Sequence, residues 1–349
     1  MNDRLYLPSP PRKILIIKPS SLGDVVHGLP VLYALHVQFP EAEIHWVVAK
    51  GFDGILEGHP LIHRLRIIDK NAWKKMRNLH GTYRELSNLA AGLRREKFDL
   101  VVDLQGLFRS AVIGLFTGTK TRVGFESARE GAKYSYSHRV KTLSELHAVD
   151  KNMMLARFIG CEEAEPVFTF PPFEVPEIVR GIPDYAVMAP SAGTLVKRWP
   201  TEFFARLASL LSIPVVIVGS KADATPGEEI ARLSDGHALN LAGKTSLREL
   251  AAIIKGAKFH ISPDTGPMHI AAALNVPAFA IFGPTNPART GPYGKIHTII
   301  RRDLPCSPCY TRKPCPDWRC MREIMPEEVL RIILEKNASL SIDLRHRNG

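Results

Sequence analysis

The stretch KILIIKPSSLGD, residues 13–24, decides the fold class of this chain. Its first six residues form an isoleucine-rich run that predicts a buried strand, and the remainder is typical of a glycine-containing turn that enters a helix. Apolar residues with helical spacing follow over 25–38, and residues 44–48 predict a second strand. Strand, turn, helix and strand in this order predict a parallel βαβ unit.

The same alternation recurs along the chain and is interrupted once. Residues 100–104 (LVVDL) predict a further strand of the first half. Five prolines between 166 and 183, among few periodic apolar residues, predict a linker. Strand and helix patterns resume over 185–282, among them helices over 247–255 and 268–274 and a strand over 278–282. A last helix is predicted over 326–337. We therefore expect an α/β protein of two domains, with a ligand in the cleft between the carboxyl ends of two sheets.

Length and composition agree with two globular domains. The chain has 349 residues, of which 45% are hydrophobic and 23% charged. No apolar run is long enough to span a membrane, and residues 1–13 lack the apolar core of a signal peptide, so we expect a cytoplasmic protein. Five cysteines, an odd number, do not fit a secreted disulfide framework. The net charge of +11 favours an anionic partner: nucleic acid, membrane headgroups or a phosphorylated substrate.

Asp24 is the first candidate catalytic residue, because it lies at the predicted helix start that follows the first strand. Two roles are open to it: it caps the helix, or it accepts a proton from a nucleophile. The surrounding loop has neither the Gly-Lys-Ser/Thr spacing of a Walker A loop nor a G-x-G-x-x-G pattern. These absences argue against NTP hydrolysis and against a nicotinamide enzyme.

A second loop, SPDTGPMH at residues 262–269, follows another predicted strand. Backbone N–H groups of Thr265 and Gly266 at a helix start would donate to a phosphate. Asp264 is suited to accept hydrogen bonds from sugar hydroxyls. His269 lies one turn into the helix, where it either contacts a ligand or only packs.

A third loop, APSAGTLVKRWP at residues 189–200, joins the first strand and helix of the second half. Lys197 and Arg198 could neutralise a pyrophosphate there, or the segment could be a plain entry turn into the helix. Together the second and third loops, each at a strand end of the same half, favour a diphosphate ligand.

These loops, together with DLQGLFRS at 103–110, resemble the ADP-heptose:lipopolysaccharide heptosyltransferases of glycosyltransferase family 9, over about residues 13–333 and in the same order. SARE at 127–130 and HAV at 147–149 look most like the heptosyltransferase I group. The resemblance implies the GT-B architecture, two Rossmann-like domains facing each other across a cleft. Its expected parts are an acceptor-binding domain over 1–170, a nucleotide-sugar-binding domain over 171–325, and a helix with a tail over 326–349 that crosses back to the first domain.

The resemblance implies an inverting enzyme that moves L-glycero-D-manno-heptose from ADP-heptose to the Kdo–lipid A inner core, with no metal and no cofactor. Asp24 is similar to the family's general base. The alternatives are a heptosyltransferase II or III with another core acceptor and, more distantly, a GT-B sugar-nucleotide 2-epimerase. A two-domain binding protein usually carries an export signal, and no nucleic-acid-binding module is recognisable. We expect a cytoplasmic enzyme associated peripherally with the inner membrane.

Site residues are carried over by matching position. The donor set is Ala192, Gly193, Lys197, Thr245, Asp264, Thr265, Gly266 and His269. Hydroxyl residues are common in the family where Ala192 and Gly193 stand, so contact with phosphate there would rest on backbone N–H groups. The acidic residue expected near the donor ribose is not evident, and Lys221 or Asp223 is nearest.

Basic runs over 64–77 and 109–141 suit an anionic acceptor, although charge runs are also common on solvated faces. The acceptor set is Arg64, Arg66, Arg109, Arg122 and Arg129. Trp73, Met76 and Tyr83 could touch a membrane surface or pack in the core. Four thiols within fifteen residues, Cys306, Cys309, Cys315 and Cys320, have a spacing compatible with tetrahedral zinc, and equally with reduced cysteines that pack a loop.

Overall fold

The computed structural model describes residues 4–69, 79–162 and 165–337. The chain divides into two compact units, Met1–Pro172 and Phe173–Gly349. The division falls inside the proline-rich stretch that the sequence predicts as a linker. Within each unit, the described residues form a parallel sheet of six strands, in agreement with the predicted α/β class.

The sheet of the first unit has the strand order β3-β2-β1-β4-β5-β6. All neighbouring strands are parallel, so their carboxyl ends share one edge. The order reverses between β1 and β4, which is where open α/β sheets bind their ligands. The strands are β1 (Lys13–Ile17), β2 (Glu43–Ala49), β3 (Arg64–Ile68), β4 (Leu100–Asp103), β5 (Arg122–Phe125) and β6 (His138–Val140), and the helices are α1 (Leu22–Val26), α2 (Leu29–Gln38), α3 (Leu79–Glu96), α4 (Phe108–Phe116) and α5 (Ala148–Ile159).

The prediction of one helix over 25–38 was wrong, because α1 and α2 are separated at His27 and Gly28. A Cβ on Gly28 would lie 2.9 Å from the ring of Trp46, so the chain passes this buried indole only as glycine. Pro30 then occupies the first turn of α2, where its missing N–H leaves no bond unmade. The Trp46 indole N–H donates to the Lys18 carbonyl at 3.3 Å, which fixes the chain as it leaves β1.

The sheet of the second unit repeats the same topology, with the order β12-β11-β10-β7-β8-β9 and parallel neighbours. Its order reverses between β7 and β10, so the second candidate ligand edge lies at their carboxyl ends. The strands are β7 (Ala186–Met188), β8 (Val215–Ile217), β9 (Ala238–Asn240), β10 (Phe259–Pro263), β11 (Ala278–Phe282) and β12 (Thr298–Arg301), and the helices are α6 (Glu177–Arg180), α7 (Thr201–Leu210), α8 (Ala224–Leu233), α9 (Leu247–Lys255), α10 (Gly266–Ala273), α11 (Pro287–Thr290), α12 (Arg319–Arg322) and α13 (Pro326–Lys336).

The last helix, α13, packs against α7. Val329 and Ile333 are fully buried in the core of the second unit, beside Phe204 and Leu207 of α7. The predicted return of residues 326–349 to the first domain stays a prediction, and residues 338–349 lie outside the described part. In the described part of the chain, no helix has both the length and the apolarity that crossing a bilayer requires.

A buried histidine in β10 predicts acid sensitivity of the second unit. His260 is inaccessible to solvent, and burial lowers its pKa to about 3, whereas an unfolded histidine titrates near 6.5. The unfolded chain therefore binds more protons in this interval, so stability present above pH 6.5 is lost as the pH falls towards 3. We expect His260 alone to lower the free energy of unfolding by about 2 kcal/mol between pH 7 and pH 5.

Urea unfolding of the wild type and of His260→Asn at both pH values measures this effect. The variant should show the smaller pH dependence, whatever its stability at pH 7. Equal pH dependence in the two proteins would contradict the assignment.

Candidate catalytic and donor sites

Asp24 lies at the carboxyl edge of the first sheet, as the third residue of α1. Its Oδ2 accepts hydrogen bonds from the Ser21 N–H at 2.9 Å and from the Ser21 hydroxyl at 2.8 Å. Ser21 is therefore the N-cap residue, and Asp24 is its partner inside the first turn. The Asp24 side chain is nevertheless 42% exposed. The carboxylate is thus held in one orientation while it stays accessible to a substrate.

A buried lysine stands beneath this carboxylate. Lys18 follows β1, and its side chain is 7% exposed. Its Nζ donates to the Leu104 carbonyl at 2.7 Å and lies 3.5 Å from Oδ1 of Asp24. A nearby cation stabilises the ionised form of a carboxylate. The Lys18–Asp24 pair thus places a carboxylate, a group that can accept a proton, at the switch point between β1 and β4.

The loop after β4 is organised by Asp103, a role that the sequence analysis missed. This carboxylate is fully buried and accepts hydrogen bonds from the Gln105 N–H, the Gly106 N–H and the Tyr136 hydroxyl, at 2.8, 3.1 and 2.7 Å. Burial raises the pKa of Asp103. Gln105 in turn accepts a hydrogen bond from the Ser20 N–H at 3.2 Å, so the two loops at the switch point are tied together. An aspartate at the end of an apolar strand, with glycine three residues later, is the signal that predicts such a turn.

In the second unit, the strand ends bring Lys197 and Asp264 together. The Lys197 Nζ donates to Oδ2 of Asp264 at 2.6 Å, and the Thr285 hydroxyl donates to the same oxygen at 2.9 Å. Nε2 of His269 lies 4.0 Å from the other oxygen, Oδ1. Asp264 and His269 are about nine-tenths buried, whereas Lys197 is 25% exposed. Three loops that follow different strands thus converge on one carboxylate.

The helix after β10 starts at this same place. Thr265 is the N-cap of α10, Gly266 is its first residue and Pro267 its second. The helix begins two residues before the predicted start at 268. The first-turn N–H groups of a helix have no intrahelical partner, so this end of α10 offers donors and a partial positive charge beside Lys197. That combination suits an anionic group.

The remaining predicted donor residues are less closely grouped. Ala192 is buried, while Gly193 is exposed with open space where a side chain would be. Thr245 is half-buried after β9, the strand farthest from β10 on that side of the sheet. No hydrogen bond or ion pair among the described residues links it to Lys197 or Asp264, and its contact with the nucleotide sugar stays a prediction.

Asp223 links two loops of the second unit through hydrogen bonds. Its carboxylate accepts hydrogen bonds from the Ser220 N–H and hydroxyl, at 2.8 and 2.7 Å, and from the Ser191 hydroxyl. It thereby fastens the loop after β7 to the loop after β8. Contact of Asp223 or Lys221 with a ribose stays a prediction.

Of the predicted acceptor arginines, Arg64, Arg66 and Arg122 are engaged within the protein. Arg64 and Arg66 both contact Glu96, which also contacts Lys13 at the amino end of β1, the end opposite to Asp24. The Arg122 side chain donates to the carbonyls of Ser135 and Thr119. Their binding to an acceptor stays a prediction.

Arg109 and Arg129 are placed differently. Both are exposed at the carboxyl edge: Arg109 lies in the first turn of α4, which the loop after β4 enters, and Arg129 lies on the loop after β5. The Arg129 N–H donates to the Gly106 carbonyl at 2.9 Å, and the Phe108 N–H donates to Glu130, so the two loops are joined.

Some predicted residues lie outside the part of the chain that the structure describes. Of the residues predicted to touch a membrane, these are Trp73, Met76 and the side chain of Tyr83. Of the basic run over 64–77, they are Lys70, Lys74, Lys75 and Arg77.

The four clustered cysteines are free thiols that line one small cavity with Trp318 and Val196. The Trp318 indole N–H donates to the Val196 carbonyl at 3.0 Å, next to Lys197. Burial, together with the neighbouring thiols, raises the pKa of Cys320 to about 11. The cysteine-rich segment therefore supports the loop that carries Lys197, and a metal there stays an open prediction.

Comparison with known proteins identifies the family of this chain. Residues 86–317 match the model of glycosyltransferase family 9 (heptosyltransferase). The chain belongs to glycosyltransferase family 9. It is 32% identical to lipopolysaccharide heptosyltransferase 1 of Pseudomonas aeruginosa over 338 residues, covering 91% of this chain and 93% of that protein. It is 29% identical to lipooligosaccharide heptosyltransferase 2 of Haemophilus ducreyi, covering 83% and 88%.

Among solved structures, the family 9 chain resembles E. coli heptosyltransferase WaaC with ADP-2-deoxy-2-fluoro heptose. The TM-score is 0.77 at 25% identity, and the match covers 93% of this chain and 99% of that one. The predicted family and the GT-B fold class are confirmed. The chain is a glycosyltransferase, so the alternative of a 2-epimerase is not supported.

Proposed function

We propose that this family 9 enzyme transfers L-glycero-D-manno-heptose from ADP-heptose to Kdo–lipid A. The observation that carries the proposal is its 32% identity to a heptosyltransferase 1 over nearly the whole of both chains. The heptosyltransferase 2 relatives are 29–30% identical, slightly below that value, which favours the first heptose over a later one. A heptosyltransferase II or III acceptor is the alternative.

The second unit supplies the chemistry that a sugar diphosphate needs. Lys197 and the amino end of α10 would hold the diphosphate, whose negative charge grows as the glycosidic bond to it breaks. Asp264 fixes the Lys197 ammonium through Oδ2 and would accept hydrogen bonds from heptose hydroxyls through Oδ1. An arrangement set before the substrate arrives avoids reorganisation during the reaction.

Asp24 would act as the general base. In an inverting transfer the acceptor hydroxyl attacks the anomeric carbon on the face opposite the departing diphosphate. The hydroxyl proton passes to the Asp24 carboxylate as the new C–O bond forms. Ser21 holds one carboxylate oxygen, and Lys18 favours the ionised form that can take the proton.

An anionic, amphipathic acceptor fits the surface beside Asp24. Arg109 at the start of α4 and Arg129 on the loop after β5 are exposed at the same edge of the sheet. Phe108, also at the start of α4, and Tyr134, in a 3₁₀ helix over Ala132–Ser135, are 58% and 74% exposed. Guanidinium groups suit carboxylates and phosphates, and exposed aromatic side chains suit the headgroup region of a bilayer. On this basis we propose that the enzyme acts in the cytoplasm, associated peripherally with the inner membrane.

Product analysis tests the proposal most directly. Purified enzyme is given ADP-heptose with Kdo–lipid A or, separately, with the same acceptor already carrying one heptose. Addition of one heptose to the first acceptor alone is the expected result. Transfer only to the heptosylated acceptor would favour the heptosyltransferase II alternative, and transfer to neither would overturn the proposal.

Replacing Arg109 and Arg129 by alanine should weaken acceptor binding selectively. Loss of charge-assisted contacts to the acceptor's carboxylates or phosphates is expected to raise the KM for Kdo–lipid A roughly tenfold, with the KM for ADP-heptose unchanged. The matched control is Arg95→Ala, an equally exposed arginine at the end of α3. An acceptor KM that stays at the wild-type value would remove both arginines from the acceptor site.

A further inference from the structure

A group of potential metal ligands lies at the amino end of the first sheet, opposite to Asp24. Glu43 is the first residue of β2, His45 is the third, and His63 directly precedes β3. Nε2 of His63 lies 3.8 Å from Oε2 of Glu43, and Nε2 of His45 lies 3.9 Å from the same oxygen. One ligand atom from each of the three residues falls within 4.8 Å of the others.

His45 is the unusual member of this group. It is 1% exposed, and neither Nδ1 nor Nε2 has a hydrogen-bond partner among the described residues. Its ring is fixed by stacking on His63 at 5.4 Å and by an edge contact with Phe98 at 5.0 Å. A buried polar group without a partner is costly and rare, so two such nitrogens on one ring require an explanation.

We propose that Glu43, His45 and His63 bind a divalent transition metal ion, with zinc as the best match. Two imidazoles, one carboxylate and a water molecule form a familiar tetrahedral zinc ligand set. With zinc–ligand bonds of about 2.0–2.1 Å, neighbouring ligand atoms lie roughly 3.4 Å apart. The two separations from the Glu43 oxygen, 3.8 and 3.9 Å, therefore need only a small contraction, and the two imidazoles, whose ligand atoms lie within 4.8 Å of each other, would close around the ion. The metal would connect β2 to the segment that enters the edge strand β3.

Lys13 competes with a metal for the same carboxylate. Its Nζ lies 3.1 Å from Oε2 of Glu43 and 3.1 Å from Oε2 of Glu96. Glu96 also contacts Arg64 and Arg66, so it stays neutralised when Lys13 is removed. Lys13 and a metal ion thus compete for the Glu43 carboxylate. We therefore expect replacement of His63 to weaken metal binding and replacement of Lys13 to strengthen it.

Equilibrium dialysis of the full-length enzyme against zinc chloride tests the site. The cysteine cluster contributes equally in every variant, so the difference between proteins reports on the proposed ligands. We expect His63→Ala to bind one zinc equivalent fewer than the wild type, and His237→Ala, a partly exposed histidine of the second unit, to match the wild type. We expect Lys13→Met to tighten binding roughly tenfold, because a like charge next to the ion is removed.

Two results would overturn the proposal: equal zinc stoichiometry in the wild type and His63→Ala, or an affinity that Lys13→Met leaves unchanged or lowers. His63 is 54% exposed, so its replacement should not unfold the protein, and circular dichroism checks this. A thermal shift gives a second readout, since zinc should raise Tm in the wild type and in Lys13→Met but raise it less in His63→Ala. Heptosyl transfer is not part of either measurement, so the outcome is independent of the proposed function.

Discussion

Replacing Asp24 by asparagine is expected to lower kcat for heptosyl transfer by a factor of about 10²–10⁴, with ADP binding unchanged. The carboxylate accepts the proton of the attacking hydroxyl, and an amide at the same place cannot. ADP binding should persist, because the residues proposed to hold the diphosphate lie in the other unit. Single-turnover rates and calorimetric titration with ADP measure the two properties separately.

Asparagine is a better replacement than alanine because Asp24 also stabilises α1. Its Oδ2 accepts from both the N–H and the hydroxyl of Ser21, and an asparagine carbonyl oxygen can keep these bonds. Alanine would remove them and destabilise the helix start by about 1 kcal/mol, which would mix a folding defect with a chemical one. Tm of Asp24→Asn should therefore fall less than that of Asp24→Ala, since both variants remove the anionic neighbour of Lys18 but only alanine also removes the hydrogen bonds from Ser21.

Asp53→Asn is the matched control for this variant. Asp53 begins a short 3₁₀ helix after β2, and its Oδ1 accepts from the Gly51 N–H at 2.7 Å. It is an aspartate of the same unit that shapes a strand-to-helix loop away from the switch point. Its replacement should leave kcat unchanged. Turnover of Asp24→Asn within a few-fold of Asp53→Asn would remove Asp24 from the role of general base.

Sequence patterns predicted the most apolar strands of both sheets, but no prediction covered the helices α3, α5 and α8, which have 18, 12 and 10 residues. The bounds of α9 at 247–255 and of β11 at 278–282 agree with the predicted ones. Strands β6 (HRV) and β9 (ALN) have three residues each and contain polar residues, so they lack the apolar run that marks the equally short β7 and β8. The interruption between α1 and α2 depends on Trp46, a residue of another strand, which local patterns do not contain.

The sequence predicted which loops form the site, but it did not predict which side chains contact each other there. Parallel strands place their carboxyl ends on one edge, so motifs after strands are expected to share that edge. The ion pair of Lys197 with Asp264 joins residues 67 apart in sequence and depends on β7 and β10 being neighbours. Likewise, only the structure shows that Arg64 and Arg66 contact Glu96, because a basic run in sequence does not reveal its partners.

Replacing Lys197 by methionine is expected to lower kcat/KM for ADP-heptose by a factor of about 10²–10³, the range found when one donor to a developing negative charge is removed. Lys197 is the cation that the second unit holds at the carboxyl ends of β7 and β10, beside the start of α10. Lys197→Arg, which keeps the charge but not the geometry, should recover part of the activity.

Lys258→Met is the control that shows how much activity is lost when an ion pair away from the proposed donor site is removed. Lys258 contacts Asp184 at 2.9 Å at the opposite, amino ends of β10 and β7, where both side chains are about half exposed. Its removal should leave kcat/KM unchanged, since exposed pairs contribute little and no substrate is expected there. Identical kinetics for Lys197→Met and Lys258→Met would exclude Lys197 from the donor site.

The double variant Lys197→Met with Asp264→Asn distinguishes a chemical role of the lysine from a structural one. Lys197→Met leaves the Asp264 carboxylate, 10% exposed, with the Thr285 hydroxyl but without its cation, so Tm should fall. Neutralising Asp264 as well removes the buried charge and should recover much of that loss. Activity of the double variant should stay below that of Asp264→Asn alone, because the diphosphate still lacks its cation. Recovery of transfer together with Tm would mean that Lys197 serves only to neutralise Asp264.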